Sequence, residues 1–154
     1  MRKPVEDLVT VILDEADCLD ELVEVVQDQR EALKSEEHDE LQDLLLELQD
    51  LLFEAKAIEV RREKLAADLA SLLGCSTKAA DFEALLTERE RVFFEGAADR
   101  LTQAVFALKA EMVIIGGLVE QSERFSAMLL SEWRRIEGGM PSAEGSAGGL
   151  DFRG

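Results

Sequence analysis

The sequence predicts an all-α protein built from an antiparallel helical hairpin and a long third helix, an elongated three-helix bundle or coiled coil. Proline occurs only at Pro4 and Pro141, so 136 consecutive residues contain none, and tyrosine is absent. Apolar residues make up 47% of the chain and recur at helical spacing over long stretches. These features are typical of long helices.

The first helix is predicted over residues 4–34, because Pro4 suits the first turn of a helix. Apolar residues recur at every seventh position: Val5, Ile12, Leu19, Val26 and Leu33. Further apolar residues widen this stripe on both sides. We therefore expect the helix to pack against more than one neighbour.

The second helix is predicted over residues 36–73. Its seven-residue series is Leu44, Leu51, Ile58, Leu65 and Leu72. Arg62 occupies the seam position between Ala55 and Leu69. Gly74 is expected to end the helix in the left-handed conformation.

The stretch "KSEEHDE" separates the two series, and the seven-residue count slips by one across it. Ser35 could cap a new helix there, with Glu36 and Glu37 in its first turn. This favours a hairpin turn in which His38 is solvated. One continuous helix with a skip is the alternative, since neither glycine nor proline forces a break.

A short helix is predicted over residues 78–86 and a long one over 87–137. The long helix has the series Phe94, Leu101, Leu108, Ile115, Ser122, Leu129 and Ile136. The "TERE" stretch at 87–90 has the spacing of a capping box but also fits a helix interior. We expect one helical domain over 1–137 and a flexible glycine-rich tail over 138–154.

Charge excludes several kinds of partner. There are 34 acidic and 17 basic residues, a net charge of −17, so nucleic acid and anionic membrane surfaces are not expected partners. The charge could simply keep an exposed helical protein soluble, and a basic or apolar partner remains open. No run approaches the length of a membrane span, no signal-peptide core is present, and Cys18 and Cys75 form no CxxC. A cytoplasmic protein is expected.

The residues needed for catalysis or metal binding are missing. His38 is the one histidine, which is too few for a di-iron bundle or a zinc site. The glycine pair Gly116–Gly117 lacks the lysine of a phosphate loop. We therefore expect no enzymatic activity, no metal and no cofactor.

The stretch "AEMVIIGGLVEQ" (110–121) is the candidate functional segment. Met112, Ile115, Leu118 and Val119 fall on the inward stripe of the last helix, whereas Val113 and Ile114 point to its otherwise polar side. Two adjacent glycines each cost a helix about 1 kcal/mol relative to alanine but permit close approach of another backbone. The patch is typical of a groove for a partner helix; alternatively, a fourth element of the same chain, such as the short helix near Phe82, covers it.

We predict that the partner-binding residues extend from this patch towards the end of the last helix. Leu118, Phe125 and Leu129 could instead belong to the core. The predicted residues are Val113, Ile114, Gly116, Gly117, Leu118, Phe125, Met128, Leu129 and Trp133.

Four stretches resemble the FlgN family of flagellar export chaperones. "DQREALKSEEHDELQDLL" is similar to the family's helix end, short turn and leucine-rich restart, and "KAIEVRREKLAADLASLLG" to its second helix. "GGLVEQSERFSAMLLSEWRRI" resembles the late third helix, and "GGLDFRG" resembles the tail. Members often carry asparagines just before the late third helix, where this chain has Val113 and Gly116.

The resemblance implies a cytosolic chaperone for hook–filament junction proteins. Such a chaperone binds their C-terminal helical segments, prevents premature assembly and hands them to the type III export apparatus without a nucleotide. The alternative is a structural coiled-coil protein that self-associates through its apolar stripes as a homo-oligomer.

Overall fold

The computed structural model describes residues 1–120, with side chains as far as residue 117. The helices are α1 (Lys3–Ser35), α2 (His38–Leu73), α3 (Ala79–Leu85) and α4 (Glu88–Glu120). The all-α prediction is confirmed. The part of the predicted last helix beyond Glu120, and the predicted tail at 138–154, lie outside the described residues. Among residues 1–120, no helix combines the length and the hydropathy that a membrane-spanning segment requires.

Helices α1 and α2 form an antiparallel hairpin. Near the middle of α1, the Cys18 thiol contacts the backbone carbonyl oxygen of Leu51 at 3.7 Å. Three residues earlier in α1, Glu15 meets Arg62, eleven residues later in α2. Residue numbers therefore rise along one helix as they fall along the other.

Helix α4 runs parallel to α1. Arg2, just before α1, bonds to Glu90 in the first turn of α4, and Arg30 near the end of α1 bonds to Glu111. The chain therefore passes along α1, returns along α2, turns through α3 and passes along α1 again. Each long helix of about 33 residues spans about 50 Å at 1.5 Å per residue.

Helix α1 is the central helix of the bundle. It packs against both α2 and α4, whereas α2 and α4 have no comparable interface with each other in the described residues. The wide stripe on α1 thus serves two neighbours, as its pattern predicted. The largest fully buried aliphatic side chains come from all three long helices: Leu8, Ile12, Leu19, Leu22, Leu48, Leu69, Leu101 and Leu108.

The turn between α1 and α2 differs in detail from the sequence prediction. Ser35 belongs to α1 and does not cap α2. Glu36 ends α1 in the left-handed conformation (φ 54°), and the Glu37 N–H donates to the Ala32 carbonyl oxygen at 3.1 Å. This bond satisfies a carbonyl at the end of α1 and extends the helix beyond the predicted boundary. His38 is the half-buried first residue of α2, not a solvated turn residue.

Helix α2 ends as the sequence predicted. Gly74 is left-handed (φ 71°), and the Cys75 N–H donates to the Ala70 carbonyl oxygen at 3.0 Å. Glycine adopts this conformation without the strain that a Cβ atom would cause.

The seven-residue series of α2 is only partly buried. Leu44, Leu51 and Ile58 are buried, Leu65 is half-buried, and Leu72 is exposed. A straight α-helix has 3.6 residues per turn, so a strict seven-residue series rotates by about 20° per repeat. By Leu72 this rotation has carried the series away from α1.

A buried ion pair joins the hairpin. The Arg62 Nε–H donates to Glu15 Oε2 at 2.5 Å, and both side chains are almost completely buried. Burial raises the pKa of Glu15, although the neighbouring Arg62 acts to lower it. The apolar series of α2 is thus interrupted by a charge whose partner lies on α1.

Candidate docking face on the last helix

Thr87 and Glu90 cap the start of α4. The Thr87 N–H donates to Glu90 Oε1 at 3.0 Å, and the Glu90 N–H donates to Thr87 Oγ1 at 3.2 Å. This reciprocal pair is a capping box. The alternative of a helix interior at "TERE" is therefore wrong.

Glu90 also attaches the start of α4 to the start of α1. The Arg2 backbone N–H and its Nε–H both donate to Glu90 Oε2 at 3.0 Å, and its Nη2 donates to Oε1 at 2.7 Å. Hydrogen bonding to Arg2 holds the pKa of the buried Glu90 carboxyl far below its usual range. This end of α4 is consequently fixed.

A second polar contact fixes the rotation of α4 near its candidate face. Arg30 Nη1 donates to Glu111 Oε2 at 2.9 Å, and Gln27 Nε2 donates to Glu111 Oε1 at 3.1 Å. Glu111 lies two residues before Val113. The contacts therefore determine which side chains of the next turn face the bundle.

The stretch that contains the glycines divides into an inward and an outward side. Met112 and Ile115 are buried, whereas Val113 is 78% exposed and Ile114 is 46% exposed. The predicted orientation of these four side chains is confirmed. The short helix near Phe82 does not cover this side, because Phe82 packs near the other end of α4, its ring centroid 6.3 Å from that of Phe94.

The exposed apolar surface extends beyond the residues that were predicted from the sequence. Phe106, which is 56% exposed, lies one seven-residue repeat before Val113 on the same side of the helix. Helical spacing from Val113 could have identified it. We define the outer face of α4 as six exposed residues without charge: Phe106, Ala107, Ala110, Val113, Ile114 and Gly117.

No packing within the described part of the chain requires the two glycines. Neither has a positive φ, and a Cβ atom added to either would meet nothing within 4 Å. Arg30 contacts Glu111, and α1 and α4 are parallel. Five residues further along each helix, Ser35 and Gly116 therefore lie at about the same height along the bundle axis. The glycines therefore lie where the α1–α2 hairpin ends.

Partner binding stays a prediction for all nine predicted residues. Gly116 is half-buried beside the outer face. Leu118 belongs to α4, but its side chain is outside the described set. Phe125, Met128, Leu129 and Trp133 lie beyond the described residues.

The fold and the outer face define an all-α protein whose last helix carries an apolar surface that no other residue among 1–117 covers. A family model described as FlgN protein matches residues 1–149, so the chain belongs to the FlgN family. The family prediction is confirmed, and membership indicates a flagellar export chaperone. No curated protein and no solved structure matches the chain significantly. Among residues 1–120, no cluster of three or more His, Cys, Asp or Glu side chains could hold a metal.

Proposed function

We propose that this protein is a cytoplasmic export chaperone for flagellar hook–filament junction proteins. It binds their C-terminal helical segments, prevents premature assembly and delivers them to the type III export apparatus. The outer face of α4 is the observation that carries the proposal. Family membership supplies the class of partner.

The outer face suits an amphipathic helix. Phe106, Ala110 and Val113 follow one another at spacings of four and three residues, so they form one row along α4. Apolar anchors at such spacing are the usual way in which a helix docks in a groove. Ala110 has a small side chain and Gly117 has none, so a second helix can approach α4 closely beside the larger side chains of the row.

The contact is strong enough to hold a substrate and weak enough to release it. Burying about 600 Å² of apolar area yields about 15 kcal/mol gross at 25 cal/mol/Å². The loss of rigid-body freedom and the ordering of side chains cancel much of that sum. The chaperone therefore covers the substrate helix only until a permanent partner is available.

We expect Ile114→Asp to weaken binding of a C-terminal junction-protein peptide by at least about tenfold, because a carboxylate would be buried against apolar side chains. The melting temperature should stay unchanged, since Ile114 is already 46% exposed. Calorimetric titration and thermal unfolding of the full chain measure the two quantities.

The matched control is Val92→Asp, which adds the same charge at an exposed β-branched residue near the start of α4. It should bind the peptide as the natural chain does. Global unfolding of the Ile114 variant would show that this residue belongs to the core. A tight oligomer in light scattering, combined with no affinity for junction proteins, would favour the structural coiled-coil alternative.

A further inference from the structure

A second apolar stripe runs along α2 on the side away from the core. Leu46, Phe53 and Val60 are exposed and lie seven residues apart. Exposed Ala57 lies between Phe53 and Val60, and exposed Ala67 is one further repeat along. Phe53 is 81% exposed. Contiguous exposed apolar residues mark interaction surfaces, whereas singly scattered ones need no explanation.

An acidic groove between α1 and α2 borders this stripe. It has a volume of about 380 Å³, and Ala57 belongs to both surfaces. Buried Cys18 and Ile58 line it, together with Arg61 and four carboxylates: Asp14, Asp17, Glu21 and Glu54. Asp17 is engaged by Arg100 of α4, which leaves three carboxylates and one guanidinium along the groove.

We propose that the α2 stripe and the acidic groove together bind an amphipathic helix of a basic partner protein. The partner's apolar residues would pack on Leu46, Phe53 and Val60. Its lysine or arginine residues would lie over the groove, opposite Glu21 and Glu54. Complementary charge of this kind fixes the orientation of a helix and accelerates its association.

The charges favour a basic partner over two other possible occupants, a second copy of this chain and the chain's own residues 121–154. A second copy of this chain docked antiparallel on the same stripe would place one acidic groove beside the other, and like charges oppose that arrangement. The chain's own residues 121–154 carry five acidic and four basic residues, so they offer no net positive charge. The surface lies on α2 and is separate from the outer face of α4, so this proposal does not depend on the proposed function.

Two designed helical peptides test the proposal on the full chain. Each has three heptads with leucine at the seam positions; one carries lysines along one edge, and the other carries glutamates there. We expect the lysine peptide to bind at least about tenfold more tightly than the glutamate peptide in fluorescence anisotropy, with the difference shrinking as salt rises. Equal affinity for both peptides would overturn the charge assignment.

Variants locate the binding site. Phe53→Ser should weaken binding of the lysine peptide at least about tenfold, and the double variant Glu21→Lys, Glu54→Lys should weaken it similarly. Ile114→Asp should bind this peptide like the natural chain, which separates this surface from the outer face of α4. Unchanged binding by Phe53→Ser would refute the proposal.

The matched charge control is the double variant Glu95→Lys, Asp99→Lys, which makes the same charge change at exposed positions of α4. It should bind the lysine peptide normally. Equal losses of peptide affinity in the two double variants would mean that binding depends only on the net charge of the chain. The proposed surface would then be wrong.

A photo-reactive amino acid in place of Phe53 identifies the occupant directly. Cross-links to the lysine peptide in the full chain support the proposal. Cross-links between two copies, or to residues 121–154 of the same chain, that persist in excess peptide would contradict it and assign the surface to that occupant.

Discussion

Replacing Arg62 by methionine should lower the free energy of unfolding by about 3–5 kcal/mol, because it leaves the Glu15 carboxylate buried without its partner. Both side chains are almost fully buried and joined at 2.5 Å. Denaturant unfolding of the full chain at neutral pH measures the loss. A loss below about 1 kcal/mol would mean that solvent reaches Glu15 and that the pair is not a structural contact.

The double variant Glu15→Leu, Arg62→Met should recover most of that loss, since both charges are then replaced by apolar side chains of similar size. The single Arg62 variant should also recover part of its stability as the pH falls. Folding raises the pKa of Glu15, so its protonated form is favoured in the folded chain. Its contribution to stability is therefore greatest below the unfolded pKa and is lost as the pH rises through the folded pKa.

Changing both Gly116 and Gly117 to alanine should stabilise the chain by about 2 kcal/mol, because each glycine costs a helix about 1 kcal/mol. An added Cβ atom meets nothing within 4 Å at either position. The same change should weaken binding of the junction-protein peptide, since two methyl groups would hold the partner helix away from α4. Thermal unfolding and calorimetric titration separate the two effects.

Gly96→Ala is the matched control for the glycine pair. Gly96 lies in the same helix and is exposed, and a Cβ atom there also meets nothing within 4 Å. This variant should gain about 1 kcal/mol of stability and bind normally. If the Gly116, Gly117 double variant gained stability with unchanged affinity, the glycines would not belong to the docking face.

The fold could be predicted from the sequence because the spacing of apolar residues shows which side of each helix is buried. Helix-ending residues show where a helix stops. The Phe94, Leu101, Leu108 and Ile115 series is buried throughout its described length. Gly74 ends α2 with the backbone conformation that its residue type predicts. The turn at Glu36 could not be placed in the same way, because its left-handed residue is not a glycine and depends on backbone hydrogen bonds.

The candidate site was predicted only in part. The inward and outward sides of α4 follow from helical spacing, so Val113 and Ile114 were identified correctly as outward-facing. Phe106 was missed because it lies outside the continuous apolar run 112–119, although the residues of an outer face recur at spacings of three and four. The partner of Arg62 depends on the relative register of two helices, which no pattern within one helix specifies.

Thiol modification of Val113→Cys tests most directly whether the outer face of α4 is open in the free protein and covered by a partner helix. Cys75→Ser supplies the background, and the remaining Cys18 is buried, with burial raising its pKa to about 12. A cysteine in place of exposed Val92 is the reference.

We predict that the free full chain reacts at position 113 within about threefold of the reference, and that a junction-protein peptide slows that reaction at least about tenfold without affecting position 92. Strong protection at position 113 in the free chain would contradict the account, because it would show that the protein covers this face itself.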